Sequence, residues 1–228
     1  MALNLFDAQM WFAVGLSLAC GFLSALISLP WGIFWGWVLA RKDFRAKIIL
    51  QTVLYLPLVL PPVLTGYFLL LIFGRNAGVG KWLLESLHMS FVLNWKGALL
   101  ASFVVGSPFM IETMRQTFLN IDERFNLIAR GLGADWWKIF TTITLPLAKP
   151  GLVAGFFLVF ARSIGEFGAT IILAGNIPGK TQTIPLAIFS KIYSAEQSGI
   201  WPLIVFAVLF SYAGLGLSQH FLNTQKKK

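Results

Sequence analysis

From Ala8 to Ala40 no side chain carries a charge. A helix crosses a bilayer in about 20 apolar residues, so this run is long enough to span, and Trp11 to Val38 is the predicted crossing. No other feature constrains the fold as tightly. A chain that repeats such stretches must satisfy its backbone polar groups inside hydrocarbon, and helices do this within a single segment. The repetition is there: largely apolar stretches recur at 48–74, 94–114, 151–175 and 200–217. The expected fold is an all-α polytopic membrane protein with about five transmembrane helices in a single transmembrane domain over 1–228.

Composition agrees, with 57% hydrophobic and 12% charged residues against about 25% charged in soluble domains. The net charge of +9 would suggest nucleic acid as a partner in a soluble chain. Here it is explained by loops facing one side of a membrane, and no nucleic-acid partner is expected. Arg41, Lys42, Arg45 and Lys47 form one basic cluster; Arg115, Arg124, Arg130 and Lys138 form another two spans later; Lys226, Lys227 and Lys228 follow after two more. Lysine and arginine collect on the cytoplasmic side, which predicts an outside N-terminus and a cytoplasmic C-terminus. The loop at Arg75 and Lys81 is too weakly basic to reverse this. The opening "MALNLFDAQMWF" carries an aspartate and no basic region, unlike a signal peptide. Cys20 stands alone, and His88 and His220 are far apart, so neither a disulfide nor a metal cluster is expected.

Several spans are irregular. Pro57, Pro61 and Pro62 interrupt the second, where a break in the hydrogen-bond ladder is tolerated only against protein or a cavity. This predicts an inner element beside a pathway. Residues 75–93 read as a loop with an interfacial helix, and the third span carries "GSPF" near its end. In the fourth, Gly151–Gly175, Arg162 and Glu166 stand i,i+4. They are predicted to share a helix face, either as a neutralising pair or as the lining of a polar path. Residues 176–199 read as a turn with a short re-entrant or surface helix. The Gly-Lys-Thr run at 179–181 is not a phosphate loop, because Ala174 stands where the leading glycine is needed.

The polar excursion between the third and fourth spans holds "GLGADWWKIFTTITLP", Gly131–Pro146. Gly131 and Gly133 are suited to end a preceding helix. Ala134–Phe140 is long enough for about two turns, and Pro146 is expected to end whatever helix reaches it. A two-turn helix is marginal alone. Its aromatic residues suit either the membrane interface or a partner's groove.

This segment resembles the EAA loop of ABC-importer permeases. Ala129 and Gly133 match the motif's alanine and glycine, and Ile143, Leu145 and Pro146 match its I-x-L-P end. The resemblance implies a type I importer permease whose cytoplasmic coupling helix lies within 119–148 and docks on an ATPase, with Asp135, Trp136, Trp137 and Phe140 in or near the contact. Trp137→Ala or Phe140→Ala is then expected to uncouple uptake without preventing insertion. One departure stands out. The family's acid should fall at Asn126 or Leu127, and Glu123, about one turn earlier, is the candidate substitute.

Three further stretches, 29–44, 56–74 and 161–189, resemble the molybdate, sulfate and tungstate branch, the last being nearest to molybdate permeases. The resemblance implies two copies of this chain in the bacterial inner membrane with lipid around them. It also implies two copies of an ATPase that uses ATP-Mg, an extracytoplasmic oxyanion-binding protein, and no cofactor held by this chain. A tetrahedral dianion needs oriented donors, yet a deep well would slow its release. Path-lining groups are therefore expected rather than an affinity site: Pro61, Pro62, Thr65, Tyr67, Ser107, Arg162, Ser163, Glu166 and Thr170. The rival reading, a secondary transporter, would show inverted repeats. Five spans do not divide into two equal halves, and the sequence shows no repeat.

Overall fold

The computed structural model describes residues 8–194 and 199–226. The opening residues 1–7, part of the predicted surface turn (195–198) and the terminal Lys227 and Lys228 lie outside the described residues. Four long apolar helices dominate. These are α1 (Ala8–Arg41), α5 (Trp95–Leu119), a continuous helix from Trp136 to Ile164, and α11 (Ile200–Lys226). Between them lie α2 (Lys47–Val59), α3 (Pro62–Phe73), α4 (Gly78–Leu87), α6 (Arg124–Gly131), α9 (Gly168–Leu173) and α10 (Ile184–Tyr193). The continuous helix comprises α7 (Trp136–Ile139), a π-turn (Phe140–Thr144) and α8 (Leu145–Ile164).

Small residues set how closely these helices approach. Ser17, Gly21, Ser24, Ser28, Gly32 and Gly36 form a buried stripe on α1. A side chain at Gly36 would put its Cβ 2.6 Å from Met114 Cβ, so only glycine allows that contact. Lipid tails are as apolar as leucine, so helices in a bilayer are held by close packing rather than by a hydrophobic drive. The stripe packs on Met110 and Met114 of α5 and on Phe160, Ser163 and Ile164 of α8.

The contacts also give the direction of each helix. Gly32 meets Met110, Gly36 meets Met114, and Arg41 reaches the Phe118 and Ile121 carbonyls, so α1 and α5 run parallel. The chain must therefore recross between Arg41 and Trp95. The connecting pair α2–α3 makes that return, but not as one straight helix: it bends by 115° at its break. This is the interruption expected in the second span, and it falls at Pro61–Pro62, whereas Pro57 stays inside α2. Each proline pushes the residue before it out of the helical region, and here Leu60 (ψ 144°) and Pro61 (ψ 130°) are both extended. Pro62, lacking only an N–H that would be unsatisfied anyway, then starts α3.

The fourth span also differs from expectation. It begins at Trp136 rather than Gly151 and ends at Ile164 rather than Gly175. Pro146 does not stop it. A proline ring presses on the carbonyl four residues back, which here belongs to Thr142. The π-turn just before it widens the ladder, with Leu145 N–H bonding to the Phe140 carbonyl five residues back. The Thr141 and Thr142 hydroxyls bond to the carbonyls of Trp137 and Lys138, occupying acceptors beside the irregular turn. The helix runs antiparallel to α5, with Gly151 against Thr117 and Gly106 against Val159. α11 runs antiparallel to α8, with Gly214 against Ala161 and Phe221 stacked near Phe157. The C-terminal ends of α1, α5 and α11 and the start of the fourth span therefore lie at one end of the bundle, as the basic clusters predict.

Candidate coupling surface and translocation path

At that end, α6 is a separate eight-residue helix outside the spans. Ala129 is its buried contact with the bundle. Leu127, Ile128 and Leu132 are 65%, 63% and 84% exposed, and Phe125 is also exposed. Gly131 closes the helix, and Gly133, at φ +82°, turns the chain in the left-handed region that glycine tolerates. The Ala134 N–H bonds back to the Ala129 carbonyl at 3.0 Å. Asp135 then caps the next helix, its carboxylate accepting from the Lys138 N–H at 3.0 Å. Ile143 lies in the π-turn, Leu145 opens α8 and Pro146 follows in its first turn.

The expected two-turn helix at Ala134–Phe140 is thus the beginning of a membrane span and not an isolated element. Its aromatic residues pack as one cluster, with the Trp137 ring 6.2 Å from Phe140 and 5.9 Å from Trp136. Trp136 stacks on Phe140 at 5.4 Å and meets Trp37 of α1 edge-on at 5.5 Å. Trp137 is 62% exposed. Glu123 does not point freely to a partner: it pairs with Arg41, whose guanidinium also holds the Phe118 and Ile121 carbonyls. Asn126, where the motif has its acid, sits with its Oδ1 buried and without a hydrogen-bond partner. α6 is consequently tied at its start to α1 and α5 through Arg41, and at its end to the fourth span through a short turn. The apolar residues of α6 were not singled out from the sequence. Their signal was present as an apolar set on a short polar-loop helix, but the tryptophans beside it were the stronger mark.

The second region is the break at the far end of the fourth span. Arg162, in the last turn of α8, pairs with Glu166 at 2.9 Å across the helix end. The two do not share a helix face as predicted, because α8 stops at Ile164 and the chain turns at Gly165–Phe167 before α9. Glu166 is 2% exposed, and its other oxygen accepts the Ala169 N–H at the start of α9. It ties the end of α8 to the start of α9. Ser163 bonds to Ser24 of α1 at 2.8 Å. α9 packs tightly on α3: a Cβ at Gly66 would lie 2.7 Å from Ala169 Cα, and one at Gly168 would lie 2.8 Å from Pro62 Cβ. Thr65 and Thr170 are buried in these two helices, and their hydroxyls have no hydrogen-bond partner. Ser107 is buried and bonds to the Val104 carbonyl, whereas Pro61 and Tyr67 are exposed. Of the predicted path residues, Thr65 and Thr170 lie buried in the paired helices α3 and α9, Glu166 is buried just before α9, Ser163 is buried against α1, and Arg162 is partly exposed.

A third cluster went unnoticed in the sequence. Glu112 of α5 accepts from Tyr55 of α2, from Arg115 and from Gln116. Its legible signal was a carboxylate with arginine and glutamine three and four residues on. Tyr55 joins it only through the bend that lays α2 against α5. The Gly-Lys-Thr run lies in a turn closed by bonds from Thr181 to residues 175 and 177.

The matched family model is that of the binding-protein-dependent transport system inner membrane component, and it covers residues 28–225. The chain is 47% identical to the molybdenum transport system permease protein ModB of Haemophilus influenzae, over 95% of both chains. It is 42% identical to the protein of the same description in Escherichia coli K12, over 96% of both. Its fold is similar to that of a chain in a bacterial ABC transporter involved in importing the acidic polysaccharide alginate. The TM-score is 0.70 at 16% identity, covering 97% of this chain and 80% of that one. With an all-helical bundle, an interrupted second crossing and a match over most of its length, the chain belongs to the family of inner membrane components of binding-protein-dependent transport systems.

Proposed function

We propose that this chain is the permease of an ATP-driven molybdate importer and that α6 is the element its ATPase grips. The observation that carries the proposal is the exposed Leu127–Ile128–Leu132 set on a short helix outside the spans. Eight residues are too few for a stable helix alone, and apolar side chains gathered on an exposed element mark a contact surface. Support for molybdate comes from the relatives at 47% and 42% identity, both molybdenum permeases over nearly their whole length.

Two copies of the chain form the path, and two ATPase subunits that use ATP-Mg sit at the basic, cytoplasmic end. The N-terminus lies outside, and a binding protein delivers the oxyanion there. ATP-driven closure moves α6. Arg41 passes the motion to α1 and α5, and the Gly131–Asp135 turn passes it to the fourth span. That helix ends at the Arg162–Glu166 pair, which holds α9 against the broken α3. In this reading the α3–α9 contact is where the path opens and closes, with the Thr65 and Thr170 hydroxyls as its donors. Binding is kept weak there, because an ion held deeply is released slowly.

Proteoliposomes containing this chain, its ATPase and its binding protein, with ATP on the ATPase side, test the proposal. ATP-dependent uptake of labelled molybdate that resists excess sulfate is expected. Full competition by sulfate moves the assignment to sulfate, and preferential uptake of tungstate moves it to tungstate. Uptake indifferent to ATP overturns the importer reading. Ile128→Glu places a charge on the docking face and should lower both ATPase copurification and uptake by at least about tenfold. Undiminished copurification would exclude α6 as the grip.

A further inference from the structure

A cavity of about 290 Å³ lies between α6, the end of α1 and the start of the fourth span. Three cations line it, Arg41, Lys42 and Arg130, against one carboxylate, Glu123. That carboxylate is already paired with Arg41. Lys42 and Arg130 have no ion pair among the described residues, and Lys42 Nζ lies 5.4 Å over the Trp37 ring. The cavity therefore holds an uncompensated positive charge. Asn126 also lines it, though its Oδ1 is buried away from the opening. Arg41 is the last residue of α1 and Trp136 the first of the fourth span, so the cavity sits where two crossings leave the hydrocarbon. Trp37, Trp136 and Phe140 form its aromatic wall, and tryptophan is enriched at that depth.

We infer that this cavity binds the headgroup of an anionic phospholipid, for which phosphatidylglycerol is the probe. The phosphodiester oxygens accept from Arg130 and Lys42. Basic pockets between helix ends at the cytoplasmic surface suit such headgroups. Inorganic phosphate offers the same oxygens, but the aromatic wall at membrane depth favours the lipid. The bound lipid would brace α6 on the side of Leu127, which lines the cavity, while leaving Ile128 and Leu132 free. The site is independent of which oxyanion is carried.

Native mass spectrometry of the purified chain in detergent, titrated with phosphatidylglycerol or phosphatidylcholine, tests the inference. One phosphatidylglycerol per chain should persist at concentrations where phosphatidylcholine is lost. Lys42→Gln and Arg130→Gln should each weaken it about fivefold. Asn126→Asp should weaken it comparably by supplying the missing negative charge from within, whereas Arg75→Gln, at the other end of the bundle, should leave it unchanged. Circular dichroism checks that each variant is folded. Equal retention of both lipids, or variants that bind like the parent chain, overturns the inference. Displacement of the lipid by equimolar inorganic phosphate assigns the site to free phosphate and overturns the lipid. Displacement by the ATPase, with Arg130 cross-linking to it, assigns the cavity to the protein interface and overturns the lipid as well. The readout is bound lipid mass, so a negative result leaves the transport reading untouched.

Discussion

Two proline sites in this molecule have opposite outcomes. At Pro61–Pro62 the chain leaves the helix and bends by 115°. At Pro146 the helix continues from Trp136 to Ile164. The difference lies in the residues before the ring. Adjacent prolines force two successive residues into extended backbone, and no wider turn absorbs that. A single proline preceded by a π-turn meets a ladder already shifted by one residue, and threonine hydroxyls occupy nearby carbonyls. The first site makes an interrupted helix against which α9 packs, on the path side. The second makes an unbroken rod from the coupling end to the Arg162–Glu166 break. A motion imposed at α6 thus has a stiff element to travel along and an interrupted one at which to act, which is the physical content of the coupling proposed here.

The contrast can be attacked directly. Leu145→Pro would convert the second site into the first. It removes the N–H that bonds to the Phe140 carbonyl and pushes Thr144 out of the helix, at a cost of about 3 kcal/mol or more. Loss of the folded protein from size-exclusion chromatography and loss of uptake are expected, and a normal melting curve would show that the π-turn is not what admits Pro146. Glu166→Gln comes next. It leaves Arg162 without its counter-charge, and since Arg162 is partly exposed the cost is about 2 kcal/mol rather than that of a fully buried pair. A lower melting temperature in detergent and slower uptake are expected, and parent-like values of both would show that the pair does not hold the break together. Gly168→Ala brings a Cβ to 2.8 Å from Pro62 and should cost about 1–2 kcal/mol by overpacking the α3–α9 contact. Parent-like thermal stability would mean that this contact yields freely. The smallest effect is expected for Pro146→Ala, a loss below about 1 kcal/mol arising mainly in the unfolded chain, with coupling intact. A large loss of uptake would show that the proline does more than sit in a prepared turn.

The Trp137 and Phe140 expectations now differ as well. Phe140 stacks in the wall of the basic cavity, whereas Trp137 stands exposed beside α6. Truncating Phe140 disturbs the packing behind α6, and truncating Trp137 removes an exposed side chain beside it.

The sequence by itself determined the class of fold, the number of crossings and the side on which the basic loops gather. Each follows from local quantities: the length of a charge-free run against the bilayer's thickness, and the placement of lysine and arginine between runs. It also marked, through Ala129, Gly133 and Pro146, the segment for which the coupling role is proposed. The tertiary structure decided the rest, because the remaining questions turn on what one segment meets in another. Whether a proline bends or passes depends on its neighbours' hydrogen-bond register. Whether Arg162 and Glu166 share a face depends on where α8 ends, and Glu123 was claimed by Arg41, distant in sequence. Glu112 found Tyr55 only because α2 folds back. The exposed apolar face of α6 became visible once Ala129 alone was seen to face the bundle, since a short helix's periodicity does not say which side its neighbours cover.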